Sequence, residues 1–195
     1  MFSLPIIGIL LSALTILLFI ALPFPLLYKS ILCSILYLFS YGFLHLEAVC
    51  DTIDGYFASL SNKDVYEVMH EPQVGSIGAI GGFCFVLLKI LAISYLLYYE
   101  CFLALIIILS LSRLSVFFSL DFEYHNKSHF IKSIQEAFKT PWFIKLLFLP
   151  FNLITKIILT KLKNKLGFIN GDTLGFSIEL QEIIYLNTAI ILILF

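Results

Sequence analysis

The sequence predicts an all-α protein that crosses a lipid bilayer several times. The chain has 195 residues, of which 61% are hydrophobic and only 13% are charged, and its mean hydropathy is +1.02. Soluble domains carry many more charged residues than this. No charged side chain occurs in residues 1–28, and long uncharged runs recur as far as Phe195. The repetition excludes a signal peptide followed by a soluble body.

Five segments are apolar enough to be predicted as transmembrane helices. A helix needs about 20 apolar residues to cross the hydrocarbon core. The first segment ends at Pro23 and Pro25, because proline cannot continue a helix beyond its first turn. The predicted spans are residues 3–22, 26–44, 76–98, 101–120 and 173–195. We therefore expect a single integral membrane domain, residues 1–195, with about five to six transmembrane helices.

The segment 141–166 is predicted to lie along the membrane interface, or to re-enter the membrane, without crossing it. Lys145 and Lys156 flank Pro150, which leaves only short apolar stretches. A crossing here would place the lysines at its end on the opposite side from those of residues 121–140, against the positive-inside tendency. An amphipathic surface segment avoids this conflict. Nine of the twelve basic residues and the N-terminus then face the cytoplasm.

Charge and cysteine content exclude other classes of function. The net charge of −1 provides no basic field for binding nucleic acid. The four cysteines include no CxxC pair, so we expect reduced, apolar side chains and not a metal or disulfide site. His125 and His129 have the spacing i, i+4, but no third ligand is evident, and a solvated loop is the expected structure there.

The polar segment 45–75 holds six acids and one lysine, and three of the acids are predicted to share a helical face. Glu47, Asp51 and Asp54 fall within about 60° of one another on a helix. Carboxylates so close together repel unless they bind a cation or protons. Mg²⁺ prefers such oxygen ligands, and Gly55 beside them would let a phosphate approach the backbone. A magnesium site is favoured over a solvated acidic loop.

A second acidic residue begins the last predicted span, in "GDTLG". Asp172 could simply cap the helix. The third residue after it is Gly175, however, so the acidic partner of a capping box is absent. Glu179 lies two turns further on, inside the predicted span, where capping cannot explain it. Asp172 is therefore predicted to belong to the same magnesium site. For Glu179, the sequence leaves both a functional and a structural role open.

Two cations lie inside predicted spans. Lys89 and Arg113 either neutralise a buried acid or reach the interface, or they bind phosphate, and the sequence leaves these alternatives open. Four glycines precede Lys89 in the sequence: Gly75, Gly78, Gly81 and Gly82. These glycines could serve ligand binding or close helix packing, and packing is favoured for Gly81 and Gly82.

The ordered motifs "LHLEAVCDTIDG", "VMHEPQVGSIGAIG" and "GDTLGFSIELQE", with Lys89 and Arg113 between the last two, resemble those of adenosylcobinamide-GDP ribazoletransferases, the cobalamin-5′-phosphate synthase family. The resemblance runs from about residue 42 to the C-terminus. It implies a Mg²⁺-dependent reaction at the cytoplasmic face of the inner (plasma) membrane. A ribose hydroxyl of α-ribazole, or of its 5′-phosphate, would attack adenosylcobinamide-GDP and expel GMP. This reaction completes the nucleotide loop of cobalamin.

The resemblance also implies residue roles. The expected metal ligands are Glu47, Asp51, Asp54 and Asp172. The expected catalytic residues are Asp172, Glu71 and Asp54. The expected substrate-binding residues are Lys89, Arg113, Gly55, Gly75 and Thr173. The expected partners are the two substrates and the bilayer, with a homo-oligomer left open.

The chain departs from the family pattern in two places. Glu47 and Ala48 stand where the family has Asp and Gly, and Met69–Gln73 stands where it has Met-Lys-Asp-Ser-Arg. Two basic residues are therefore missing from that loop. The charge that meets phosphate would have to come from Lys63, Lys89 or Arg113.

Two rival interpretations remain. The signature of CDP-alcohol phosphotransferases also begins D-x-x-D-G. That signature continues with Ala-Arg two residues after the glycine and with two further aspartates, whereas this chain continues with Phe57, Ala58 and Ser59. A cation-coupled transporter would line a path across the bilayer with Glu179, Lys89 and Arg113. An enzyme would instead gather its acids at one face of the membrane.

Overall fold

The computed structural model describes residues 3–43, 45–61, 63–119, 122 and 148–194, and every regular element in these ranges is a helix. The all-α class is therefore confirmed. The elements in chain order are α1 (Ser3–Ala21), α2 (Leu26–Tyr41), α3 (Leu46–Leu60), α4 (Val65–Val68), α5 (Ser76–Tyr98), α6 (Phe102–Leu111), a 3₁₀ turn (Ser112–Leu114), α7 (Ser115–Ser119), α8 (Leu149–Leu166) and α9 (Gly171–Leu194).

Three helical stretches in the described ranges are long and apolar enough to cross a membrane: Ser76–Tyr98, Phe102–Ser119 and Gly171–Ile193. Helices α2 and α3 would make a fourth if the pair forms one broken span, and Pro5–Ala21 is a shorter apolar helix. The predicted class of multi-pass helical membrane protein is thus confirmed. The number of crossings stays a prediction.

The chain forms two compact units. The first contains Met1–Leu44, Cys84–Leu114 and Leu180–Phe195. Its core consists of apolar side chains from α1, α2, α5, α6 and α9, including Phe19, Cys33 and Leu105. Helix α1 approaches α6 closely at Gly8, where a Cβ atom would lie 2.8 Å from the Cα of Ser110. Small residues allow such close packing between membrane helices.

The second unit contains His45–Phe83 and Ser115–Glu179. Helix α3 packs against α4 and α8, and α7 packs against α8. The start of α9 also meets α3, because a Cβ atom on Gly175 would lie 2.8 Å from the Cβ of Ala48. This contact brings the two acidic motifs of the sequence into one unit.

The predicted interfacial segment 141–166 contains α8, and its position relative to the membrane stays a prediction. Pro150 lies in the first turn of α8, where proline is tolerated because a first-turn residue needs no N–H donor. Lys163 and Lys165 occupy the last turn, where cations complement the helix dipole. Lys145, His125 and His129 lie outside the described residues.

Candidate active site

The acidic residues of α3 and α9 form the centre of the candidate site. Glu47 is exposed, and Asp51, Asp54 and Asp172 are half-buried. Burial, followed by the charges of Asp172, Glu47 and Asp54 in that order, raises the pKa of Asp51 from 3.8 to about 6. Asp172, 121 positions further along the chain, is thus the strongest charged neighbour of Asp51. We call Glu47, Asp51, Asp54 and Asp172 the acid group.

Asp54 holds the start of α5. Its Oδ2 accepts a hydrogen bond from the backbone N–H of Gly75 (2.8 Å), and its Oδ1 accepts one from Gly78 (2.7 Å). The first N–H groups of a helix have no partner within the helix, and a carboxylate satisfies them well. A Cβ atom on Gly75 would lie 2.7 Å from Asp54 Oδ1, and one on Gly78 would collide with the same carboxylate. Both glycines are needed for this close approach.

Asn170 orients Asp172, and the sequence analysis missed it. Asn170 Oδ1 accepts a hydrogen bond from the backbone N–H of Thr173 (3.0 Å), and Thr173 Oγ1 accepts one from the N–H of Asn170 (2.9 Å). The pair is a reciprocal cap in which Thr replaces the usual Glu. Asn170 Nδ2 also donates to Asp172 Oδ2 (2.8 Å). The signal was "NGDT", in which Asn, not Asp172, precedes the helix.

His70 is a second residue that the sequence analysis did not single out. Its ring stacks on that of Tyr66, with centroids 4.1 Å apart, and its Nδ1 lies 2.8 Å from the Tyr66 carbonyl oxygen. These two contacts fix the orientation of the ring. His70 is also an electrostatic neighbour of both Asp51 and Asp172. His70 therefore interacts electrostatically with acids of both α3 and α9.

Two residues predicted to bind substrate have packing or capping roles in the structure. The space beside Gly55 is filled by Met69, because a Cβ atom there would lie 2.6 Å from Met69 Cγ. Thr173 is fully buried and engaged in the cap of α9. Glu179, for which the sequence left the role open, is buried on α9.

Lys89 and Arg113 neutralise a buried acid, which is one of the two predicted alternatives. Lys89 Nζ lies 2.8 Å from Glu182 Oε1, and Arg113 Nη1 lies 3.5 Å from Oε2. Tyr37 Oη donates to Oε1 (3.3 Å), and Ser112 Oγ donates to Oε2 (3.1 Å). All five side chains are buried in the first unit, and we call them the buried ion cluster. Substrate contact by Lys89 or Arg113 stays a prediction.

A cavity of about 270 Å³ adjoins Asp54 in the second unit. Helix α3, the loop that follows it and the start of α5 form its walls. The lining residues are Asp54, Phe57, Ala58, Ser61, Lys63, Val68, Glu71, Gln73, Gly75, Ser76 and Ile77. The structure thus brings the predicted catalytic residues Asp54 and Glu71 to one cavity, together with Lys63.

The acid group fits a magnesium ion in its chemistry. No three His, Cys, Asp or Glu side chains among the described residues already stand close enough to hold a metal by themselves. Magnesium usually takes only one or two carboxylates and completes its shell with water and substrate phosphates. Burial and the charges of neighbouring carboxylates raise the pKa of Asp51, and a bound cation would offset the repulsion among these acids.

Comparison with known proteins identifies the family. The family model for cobalamin-5-phosphate synthase matches residues 1–190. The adenosylcobinamide-GDP ribazoletransferase of Treponema denticola is 32% identical over 188 residues, which cover 80% of this chain and 72% of the relative. The enzymes of the same name from Desulfitobacterium hafniense and Thermoanaerobacter pseudethanolicus are 30% and 27% identical, over 93% and 92% of this chain and 82% and 81% of the relatives. No solved structure matches. The chain belongs to the cobalamin-5-phosphate synthase family.

Proposed function

We propose that this chain acts as a Mg²⁺-dependent adenosylcobinamide-GDP ribazoletransferase. The ribose 3′-hydroxyl oxygen of the acceptor forms a bond to the cobinamide-side phosphorus of adenosylcobinamide-GDP. The bond from that phosphorus to the bridging oxygen breaks, and GMP leaves with the electron pair. The hydroxyl proton passes to a carboxylate. The products are the completed corrinoid and GMP.

The observation that carries this proposal is the convergence of Asp172 of α9 with Asp51 of α3. Cleavage of a pyrophosphate requires the negative charge on the leaving phosphate to be neutralised. Asp51 and Asp172, with Glu47 beside them, would hold the magnesium ion, and the ion would neutralise that charge when bound. Asn170 holds the Asp172 carboxylate in orientation through its amide.

Two further carboxylates serve the reaction differently. Asp54 contributes mainly by anchoring Gly75 and Gly78, so it shapes the wall of the cavity beside the acid group. Glu71 lines the same cavity and is exposed, so it is the carboxylate that we assign to accept the hydroxyl proton. Asp172 is the alternative base.

The active site faces the cytoplasm of a multi-pass membrane protein in this proposal. The charge distribution supports it, since the orientation that places most basic residues inside also places segment 45–75 there. The apolar helices α5 and α9, together with the stretch Phe102–Ser119, hold the site at the bilayer.

The deciding experiment uses the purified full chain in detergent micelles with adenosylcobinamide-GDP, α-ribazole and Mg²⁺. We expect release of GMP and formation of the completed corrinoid in equal amounts, both lost when a chelator replaces Mg²⁺. Absence of both products would overturn the proposed activity. Unchanged turnover in chelator would overturn the magnesium requirement alone.

A further inference from the structure

Helix α8 presents one exposed face along its whole length. Its exposed residues are Leu149, Pro150, Leu153, Ile157, Thr160, Lys161 and Asn164. On a helix of 3.6 residues per turn these positions fall within an arc of about 120°. The opposite side of α8, which includes Leu159 and Leu162, is buried. Helix α8 therefore lies at the surface of the second unit, and we call its exposed residues the outer stripe.

The outer stripe changes from apolar to polar along the helix. In its first half, Leu149, Leu153 and Ile157 are 44%, 50% and 54% exposed. Its second half ends with Lys161 and Asn164. Exposure of a row of apolar side chains to water is unfavourable, because their burial gains free energy in proportion to the area removed from water. The apolar half is therefore expected to contact lipid or another protein.

The charge of α8 favours an anionic partner. The helix contains four lysines and no acidic residue, so its net charge is +4, whereas that of the whole chain is −1. By helical position, Lys156 and Lys163 flank one edge of the outer stripe, and Lys161 and Lys165 lie at the other. Lysine side chains can lay their aliphatic stems along apolar surface and extend the ammonium group to polar partners. This pattern complements acyl chains with anionic headgroups above them.

We propose that the outer stripe of α8 docks on the surface of an anionic phospholipid bilayer. Its apolar half lies among the acyl chains, and its lysines lie at the lipid phosphates. Helix α8 is not among the described stretches that are long and apolar enough to cross a membrane, so contact along the interface is the mode that its composition allows. A second copy of the chain fits this face less well, because a symmetric contact would bring together two helices of charge +4.

Docking of α8 would also set the depth of the acid group. Helix α3, which carries Glu47, Asp51 and Asp54, packs against α8. Lys165 Nζ lies 5.6 Å from the centroid of the Tyr56 ring on α3, and Tyr56 is 42% exposed. Tyrosine is enriched at the level of lipid headgroups. The cationic helix thus holds the acids at an anionic surface that would repel them by itself. Lipid binding by α8 does not depend on the reaction proposed above.

Tryptophan fluorescence of the full chain in liposomes tests whether the outer stripe contacts lipid. The chain has a single tryptophan, Trp142, which Trp142→Phe removes. In that background, Ile157→Trp places a tryptophan on the outer stripe. Leu91→Trp places one on α5, at a side chain of similar exposure, 57% against 54%. We expect brominated phosphatidylcholine to quench both tryptophans.

Two results would overturn the docking of α8 on lipid. One is quenching of Leu91→Trp without quenching of Ile157→Trp, which would leave the outer stripe outside the bilayer. The other is loss of quenching at Ile157→Trp as the ratio of protein to lipid rises, which would assign the outer stripe to a contact between copies of the chain.

Competition between two brominated lipids tests the selection of anionic lipid at each tryptophan. Beside Ile157→Trp we expect phosphatidylglycerol to bind about fivefold more tightly than phosphatidylcholine, the scale of one lysine at an anionic lipid surface. Beside Leu91→Trp the two lipids should bind within about twofold of each other. Equal preference at the two positions would overturn the selection of anionic lipid by α8.

A matched pair of lysine substitutions separates local charge from total charge. Lys161→Gln and Lys29→Gln each remove one positive charge, but Lys29 lies on α2 in the first unit. We expect Lys161→Gln to lower the preference for phosphatidylglycerol beside Ile157→Trp at least about twofold, and high salt to lower it further. Lys29→Gln should leave it unchanged. Equal effects of the two substitutions would mean that the preference follows total charge, and would overturn the role of α8.

Discussion

The two units of this protein each hold a set of charged side chains, and the two sets are organised in opposite ways. In the buried ion cluster, both oxygens of Glu182 receive donors from Lys89, Arg113, Tyr37 and Ser112. In the acid group, carboxylates lie near other carboxylates, and burial together with their charges raises the pKa of Asp51. Buried charges that stabilise a fold come with their partners. A group of mutually repelling acids beside a cavity is more typical of a binding or catalytic site.

The largest expected effect tests the acid group. Asp51→Asn removes one of its charges with little change in shape, and we expect turnover to fall at least about hundredfold, as when a group that stabilises the transition state is lost. Glu67→Gln, an exposed acid of α4, is the control and should retain activity. GMP release by the detergent-purified variants measures both. Near-normal turnover in Asp51→Asn would remove this residue from the mechanism.

The next effect tests the buried ion cluster and concerns stability. Glu182→Gln leaves Lys89 and Arg113 buried without their carboxylate, which is expected to lower the free energy of unfolding by about 3–5 kcal/mol. Lys89→Met removes one of two cations, and Glu182 keeps Arg113, so its cost should be clearly smaller. Thermal unfolding in detergent compares the two variants. An equal loss of stability in the two variants would mean that the buried ion cluster does not depend on its single carboxylate.

A smaller effect on stability and turnover is expected from substitution of Gly78, where α5 lies against the Asp54 carboxylate. In Gly78→Ala the new methyl group would meet the Asp54 carboxylate, whereas in Gly81→Ala it would meet the end of the Ile53 side chain, which can rotate away. We expect Gly78→Ala to cost about 1–3 kcal/mol of stability and to reduce turnover. Gly81→Ala should cost less and leave turnover intact. The reverse order would contradict the role assigned to the Asp54 anchor.

The smallest expected effect is a pH dependence. The pKa of Asp51 is raised from 3.8 to about 6 in the folded protein, so the folded state holds this proton more tightly than the unfolded chain. The stability of the metal-free protein should therefore fall as pH rises from about 4 to 6. Asp51→Asn should reduce that fall, and so should added Mg²⁺ for the wild type. Identical pH profiles of the unfolding midpoint in wild type and variant would contradict this.

Sequence reasoning worked best where a pattern is local. Uncharged runs indicated where the apolar helices lie, and the spacing of Glu47, Asp51 and Asp54 placed them on one helix, because helical period and hydropathy are properties of short segments. The predicted segment 76–98 and the observed α5, Ser76–Tyr98, have the same bounds. Local patterns alone could not predict that Asp172 lies close to Asp51. That prediction also required an argument about topology.

The remaining features depend on contacts between distant residues, which no local pattern specifies. Nothing near Lys89 or Arg113 in sequence shows that Glu182 is their partner. The glycines at 75 and 78 were considered for ligand binding or packing, whereas their backbone N–H groups bind Asp54. Gly55 was expected to expose backbone to phosphate, but Met69 fills that space. Each of these assignments needed the tertiary structure.

The buried ion cluster has a consequence for how this protein changes over evolutionary time. Its members come from α2, α5, the 3₁₀ turn and α9, so mutations at four separate places in the gene act on a single balance of charge. A protein that loses Glu182 keeps two buried cations without a carboxylate partner. We expect such a change to be accompanied by replacement of Lys89 or Arg113. These positions are therefore expected to vary together, whereas the exposed apolar residues of the same helices are expected to vary independently.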